Sequence, residues 1–292
     1  MAWQLLVNSV VAAGVYALVG VGFALIYRVY GFFHFSYGAI IVVGAYGTYL
    51  FKTTVGLPVW AALLAGTLVA SGVGCLFDLG IYCPLRRRNA TPSVLLLSSL
   101  GLYVLVQNAI SLAFGSDTKR LRGETVTEGF NVWGAYVTGV QLTVVVASAV
   151  LVIALAVFLK CTRVGTAIRC VANDSLLAAV SGIRSERMLL LASALGSLLA
   201  GMAGVFIALD VDITPSMGLT PLMMGVVAVV IGGKESIAGV ALGAILLGMA
   251  QQFGVWGIGS QWQDAIAFLA LLAFLLFRPQ GFLGRTMGKA TV

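Results

Sequence analysis

Residues 140–159 read VQLTVVVASAVLVIALAVFL, twenty positions without a charge, and the segment that follows, Lys160-Cys161-Thr162-Arg163, restores two. A helix rises about 1.5 Å per residue, so such a run covers roughly the 30 Å hydrocarbon core of a bilayer. Inside lipid the backbone has no water to bond, and a helix satisfies its own polar groups. The stretch therefore predicts a membrane-spanning helix that ends in a basic, water-facing segment.

The rest of the 292-residue chain repeats that pattern. It is 60% hydrophobic and 9% charged, with 36 glycines, whereas soluble domains carry about 25% charged residues. Its 17 Lys and Arg and 10 Asp and Glu cannot solubilise a whole surface, which excludes a soluble domain. Disorder needs low hydrophobicity and high charge, and is excluded too. Further apolar stretches run over 5–27, 33–51, 58–82, 93–114, 188–209, 219–231, 239–253 and 262–277. The expected fold is an all-α polytopic bundle of about nine membrane segments in one domain, 1–292. The stretches at 219–231 and 239–253 fall short of roughly 20 residues and suggest a broken helix or a re-entrant pair shielded by protein. Met1-Ala2-Trp3-Gln4 lacks the positive start of a signal peptide, so the first stretch is read as a retained helix.

Charge placement orients the bundle. Arg28, Arg86, Arg87, Arg88, Lys160, Arg163, Arg169, Arg184, Arg187, Lys234, Arg278, Arg285 and Lys289 fall on one side. The other side holds Lys52, Lys119, Arg120 and Arg122, together with Asp117, Glu124, Glu128, Asp210, Asp212 and Asp264. The positive-inside rule places the first group in the cytoplasm, the N-terminus outside and the C-terminus inside. The net charge of +7 is thus a topology signal rather than a nucleic-acid footprint. Two loops are long. The outer one, 115–139, is polar and carries the interfacial aromatics Trp133 and Tyr136. The inner one, 160–187, interleaves charges with apolar residues. Ile168, Val171, Leu176 and Val180 would mark one face of a short amphipathic helix ended by Gly182, resting on the bilayer or in a partner's groove.

Glycine patterns recur. Gly31–Gly38 opens a helix bearing Gly44 and Gly47, and Gly232–Gly239 opens another bearing Gly243 and Gly248, an echo in the same direction across the membrane. Gly239 with Gly243, and the stripe Gly196, Ala200, Gly201 and Gly204, allow close helix contact, within the chain or between subunits.

The chain offers little chemistry. Cys75, Cys83, Cys161 and Cys170 have no metal or redox spacing. His34, the one histidine, lies two residues from Ser36, a spacing that does not place both on one helix face. Gly232-Gly233-Lys234 lacks the remaining positions of a phosphate-binding loop, Ala228 and Glu235 standing where Gly and Ser or Thr are required. No cofactor or nucleotide site is expected in this chain. Ion-coupled carriers place ionisable groups in the membrane core, whereas Asp78, Asp210 and Asp264 sit near predicted helix ends, Asp78 within reach of the triple arginine. Uncharged polarity remains: Tyr46, Thr48, Ser98, Ser99, Gln107, Asn108, Gln251 and Gln252 either hydrogen-bond a solute along a pathway or tie helices together. Such a conduit is a channel, or part of a larger pump.

Several segments, taken in order, carry a resemblance. They are Phe33-His34-Phe35-Ser36-Tyr37-Gly38 with Gly44-Ala45-Tyr46; Pro84-Leu85-Arg86 before Leu97-Ser98-Ser99-Leu100-Gly101 and Gln107-Asn108; Thr162 to Arg169; Val230-Ile231-Gly232-Gly233 with Ser236 and Gly239; and Arg278 to Gly284. Nearly the whole chain resembles the permease subunit of bacterial branched-chain amino acid ABC importers, the shorter of two paralogous permeases. The resemblance implies a bacterial inner-membrane protein paired with a second permease, as a heterodimer or a homodimer. It also implies two cytoplasmic ATPases that bind the ATP, and a periplasmic binding protein that delivers the solute. The inner loop becomes the coupling element, with Arg163, Gly165, Ile168, Arg169, Val171, Asp174, Leu177 and Gly182 facing the ATPases. The outer loops 115–139 and 210–215 would meet the binding protein. His34, Ser36, Tyr46, Gln107, Asn108, Met224 and Gln251 are the candidate pathway residues. Members of the family often carry an acid at the place of Ala39, a lysine at that of Met224 and an acid at that of Gln251; three neutral residues here point to a less charged solute. The implied cargo is a branched-chain or other hydrophobic amino acid, or a related amide, urea or organic acid. A facilitative channel acting without ATPases is the alternative.

Overall fold

The computed structural model describes residues 2–121, 129–132, 135–278 and 281–283. Arg122, Glu124, Glu128, Trp133, Pro279, Gln280, Gly284, Arg285 and Lys289, used above, lie outside the described residues. Every apolar stretch becomes a helix: α1 (Ala2–Tyr30), α2 (Ser36–Thr53), α3 (Val59–Phe77), α5 (Pro92–Phe114), α6 (Gly139–Cys161), α9 (Ser185–Asp210), α10 (Leu219–Gly232), α11 (Ile237–Ile258) and α12 (Gln263–Phe277). Short α4 (Cys83–Arg87), α7 (Arg163–Asn173) and α8 (Ser175–Val180) sit between them. Seven described helices are long and apolar enough to cross a bilayer; α2 and α10 are not among these.

The stretch that looked re-entrant divides. The run 239–253 is extended at both ends into the 22-residue α11, because Gly254 to Ile258 continue the helix until Gly259 turns with φ 115°. That is about 33 Å at 1.5 Å per residue, a full crossing. α10 has 14 residues, about 21 Å, and is the short member. The two pack as a hairpin, with Gly232 against Gly239 and Gly243 against the Ala228 carbonyl.

α1 forms the centre of the bundle, touching α6, α9, α10 and α11, while α2, α3 and α9 form a second tight trio. Small residues make that trio possible. A Cβ on Gly44 would stand 2.5 Å from the Gly201 carbonyl oxygen, and one on Gly204 would collide with the Ile41 carbonyl. The glycine stripe of α9 is therefore spent on contacts within the chain. α5 packs on α2 and leaves its opposite face free, and α12 is almost wholly exposed.

The loop between α5 and α6 is not purely irregular. Strands β1 (Gly129–Val132) and β2 (Ala135–Thr138) form an antiparallel hairpin with Gly129 opposite Thr138 and Val132 opposite Ala135. An all-α reading omits it, since four-residue strands leave little alternation to detect. The Tyr136 N–H donates to Gln4 Oε1 at 2.8 Å, fixing the hairpin to α1. Lys119 and Ile213 exchange backbone hydrogen bonds, and Arg120 pairs with Asp212 at 3.0 Å. The segments that follow α5 and α9 thus meet.

Candidate functional site

At the opposite end of the bundle, the segment after α6 folds back on it. Thr162 accepts a hydrogen bond from the Gly165 N–H at 2.9 Å, capping α7. Gly165 lies so close to α6 that a Cβ would sit 2.5 Å from Leu159 Cα. This brings Ile168 and Val171 onto α1, α6 and α9, where they are buried. Here the structure departs from the sequence reading: the apolar face of α7 is covered by the chain's own bundle and is not free for a partner.

The single amphipathic helix is in fact two. Asp174 is extended, with φ −153° and ψ 108°, and its carboxylate accepts hydrogen bonds from the Leu176 and Leu177 N–H groups at 2.9 and 3.0 Å. It ends α7, starts α8 and resets the phase, so Leu176 and Val180 no longer share a face with Ile168. They point out instead: Leu176 is 79% exposed, Leu177 66% and Val180 87%. Asn173-Asp174-Ser175 is a legible capping signal, and weighing it would have separated the faces. Gly182, at φ 82°, closes α8. Arg163, Arg169 and Asp174 of the same segment are exposed as well.

The candidate pathway residues fall into separate groups. His34 lies in the turn between α1 and α2, not on a helix, so the spacing rule that kept it from Ser36 does not apply. Ser36 Oγ lies 3.0 Å from His34 Nε2 and 2.9 Å from Tyr82 Oη. Burial keeps the imidazole neutral and lowers its pKa to about 3. His34 Nδ1 has no partner to orient it among the described residues, and Ser36 is sealed from solvent.

Tyr46 is buried against Phe114 of α5. On the free face of α5, Leu97, Leu105 and Leu112 are exposed, and Asn108 is exposed among them, its amide donating to its own Val104 carbonyl at 2.8 Å. An amide is costly in hydrocarbon, and one on a bare helix face marks either a protein partner or a water-filled path. Gln107 is half-buried beside it.

Met224 and Gln251 meet. Gln251 Nε2 lies 3.3 Å from Met224 Sδ and donates to the Gln263 carbonyl at 3.3 Å, and both side chains are buried. Two of the three positions at which the resemblance led one to expect charge are thus in contact with each other. Above this contact, a cavity of about 420 Å³ opens among Asn8, Tyr16, Gln141, Asp210, Gln252 and Gln263, residues that sequence reading had not grouped because five helices contribute them. No cluster of three or more His, Cys, Asp or Glu suited to a metal occurs among the described residues.

Comparison with known proteins agrees in one direction. A family profile described as branched-chain amino acid transport system / permease component matches residues 5–275. The high-affinity branched-chain amino acid transport system permease protein BraD of Pseudomonas aeruginosa is 32% identical over 97% of this chain and 95% of its own length. The corresponding permease protein LivH of Escherichia coli is 28% identical over the same shares. Among solved structures, PsaBC from Streptococcus pneumoniae in complex with Fab superposes with a TM-score of 0.54 at 14% identity, covering 94% of this chain and 91% of that one, a likeness of fold.

Proposed function

The chain belongs to the permease component family of branched-chain amino acid transport systems, and from that premise we propose that it is the membrane-spanning permease subunit of an ATP-driven importer of small solutes. The observation that carries the reading is the exposed apolar patch Leu176, Leu177 and Val180, held on a capped helix pair at the basic end of the bundle. Three large apolar side chains on a polar segment call for a protein partner. The partner is an ATPase, because the relatives are permeases of transport systems and the buried charge of this chain, Asp78, is held in an ion pair with Arg86 at one end of the bundle. Arg163, Arg169 and Asp174 rim the contact, while Gly165, Ile168, Val171 and Gly182 hold the segment in place beneath it.

The α7–α8 end faces the cytoplasm of a bacterial inner membrane, and the N-terminus faces out. A second permease covers the free face of α5, and the pathway runs there past Asn108 and Gln107. The joined outer loops around Arg120 and Asp212 receive a solute-binding protein. The cargo is a branched-chain or other hydrophobic amino acid, or a related amide, urea or organic acid. The test is co-purification. A tagged chain brings down ATP-hydrolysing subunits, and Leu176→Asp with Val180→Asp loses them while the permease stays monodisperse. Retention of the ATPase activity by that variant overturns the assignment of the patch. Transport by the isolated chain without ATPases would favour the channel alternative.

A further inference from the structure

One ionic bridge at the basic end is used by neither the pathway nor the coupling patch. α3 does not end at Phe77. A single π-helical turn, Asp78–Tyr82, carries it into α4, and the Cys83 N–H reaches back five residues to the Asp78 carbonyl. Such turns recur where a helix must aim a side chain. Here the turn buries the Asp78 carboxylate against two donors, Tyr30 Oη at 2.7 Å and Arg86 Nη1 at 2.8 Å. The other arm of the same guanidinium, Nη2, reaches Glu186 Oε2 at 3.1 Å, and Cys83 Sγ donates to that oxygen at 3.3 Å. Arg86 also stacks over the Tyr30 ring, 5.1 Å from its centre.

The two carboxylates differ in setting. The Asp78 side chain is 2% exposed and that of Glu186 is 48% exposed. A buried ion pair is costly to break, whereas a half-exposed one exchanges readily with water. Glu186 stands in the first turn of α9, four residues after Gly182 closes α8. Asp78, buried in the turn that follows α3, and Tyr30, half-buried at the last position of α1, join the ends of those two helices. A planar five-donor guanidinium is suited to hold two partners at once.

We infer that Arg86 is a positioning residue that carries displacement of the α7–α8 segment into the ends of α1 and α3, gripping Asp78 permanently and Glu186 exchangeably. The inference rests on the permease reading above and adds the element through which the segment acts. When partners move the segment, the Glu186 arm opens and uncovers Cys83, while the Asp78 arm keeps α1 and α3 in register.

The native thiol reports this. In a chain carrying Cys75→Ala, Cys161→Ala and Cys170→Ala, Cys83 is labelled with N-ethylmaleimide in the assembled transporter in lipid nanodiscs, without nucleotide and after trapping with ATP and vanadate. The expected result is at least a threefold difference in labelling rate between the two states. Glu186→Gln abolishes that difference with an unchanged thermal melt, and Glu186→Asp restores it, which a merely structural role would not do. Equal rates in both states of the unaltered complex, or a Glu186→Gln chain that keeps the difference, overturn the inference while leaving the permease reading intact. If no ATP-hydrolysing subunits assemble with the chain, the permease reading falls and takes the inference with it.

Discussion

Met224→Lys introduces an ammonium into a fully buried site beside the Gln251 amide, which itself donates to the Gln263 carbonyl. Leaving a buried charge without its partner costs about 3–5 kcal/mol, a large share of the roughly 5–15 kcal/mol that holds a typical protein folded. Gln251→Glu alone buries a carboxyl beside a thioether; it takes up a proton and costs less, about 1–3 kcal/mol for the mispaired group. Because the two side chains stand 3.3 Å apart, the double variant places opposite charges in contact. Its loss should fall below that of Met224→Lys alone, with a coupling of about 1–3 kcal/mol. The assay is thermal unfolding in detergent of chains carrying Cys161→Ala and Cys170→Ala, which removes the two exposed thiols, followed through a dye that becomes fluorescent on reacting with the buried Cys83 and half-buried Cys75 as they are uncovered. Met224→Lys lowers the midpoint by on the order of 10 °C, and adding Gln251→Glu recovers at least half of that. Additive losses would refute the contact. A change in solute selectivity without a change in stability would contradict a purely structural role for the pair.

Further outcomes follow from the geometry. Gly204→Ala forces its new methyl into the Ile41 carbonyl and should cost about 1–3 kcal/mol, whereas Gly72→Ala, with open space around it, should leave the same melt within experimental error. Ile168→Asp, inside the core, should abolish folded yield, while Leu176→Asp, on the surface, should leave the gel-filtration profile unchanged. His34 is neutral in the folded chain, with its pKa near 3, and titrates at about 6.5 once unfolded. The unfolded chain therefore binds a proton first as pH falls, and stability present above pH 6.5 declines below it, by about 2 kcal/mol at pH 5. A melt measured from pH 7 to pH 5 should show that decline, and His34→Gln should flatten it.

The membrane helices were legible because lipid demands long uncharged runs, and a run such as 140–159 has no soluble reading. Helix ends were less legible: α11 outgrew its apolar stretch because Gly254 and Gly257 are tolerated inside a packed helix until Gly259 turns the chain. The 160–187 segment was read from sequence as amphipathic, yet its faces were assigned on the assumption of one continuous helix. Asp174 breaks that continuity with two short hydrogen bonds, a local competition between side chain and helix that periodicity does not register. The contact between His34 and Ser36 was missed because a helix rule was applied to a turn, and the meeting of Met224 with Gln251, 27 residues apart, is set by helix packing alone. Asp78 was paired with the arginine run from sequence; that Arg86 also holds Glu186, 100 residues on, required the fold.

The account stands on a pathway without an engine, driven through the patch at Leu176, Leu177 and Val180. Its most direct test is uptake into proteoliposomes of radiolabelled leucine, phenylalanine, urea and acetamide, comparing the isolated chain with the complex purified through it, with and without ATP. The account predicts uptake of at least one of these by the complex when ATP is supplied, none by the chain alone, and loss of the ATP-driven uptake with Leu176→Asp and Val180→Asp. Equal uptake by the isolated chain, indifferent to ATP, would contradict it.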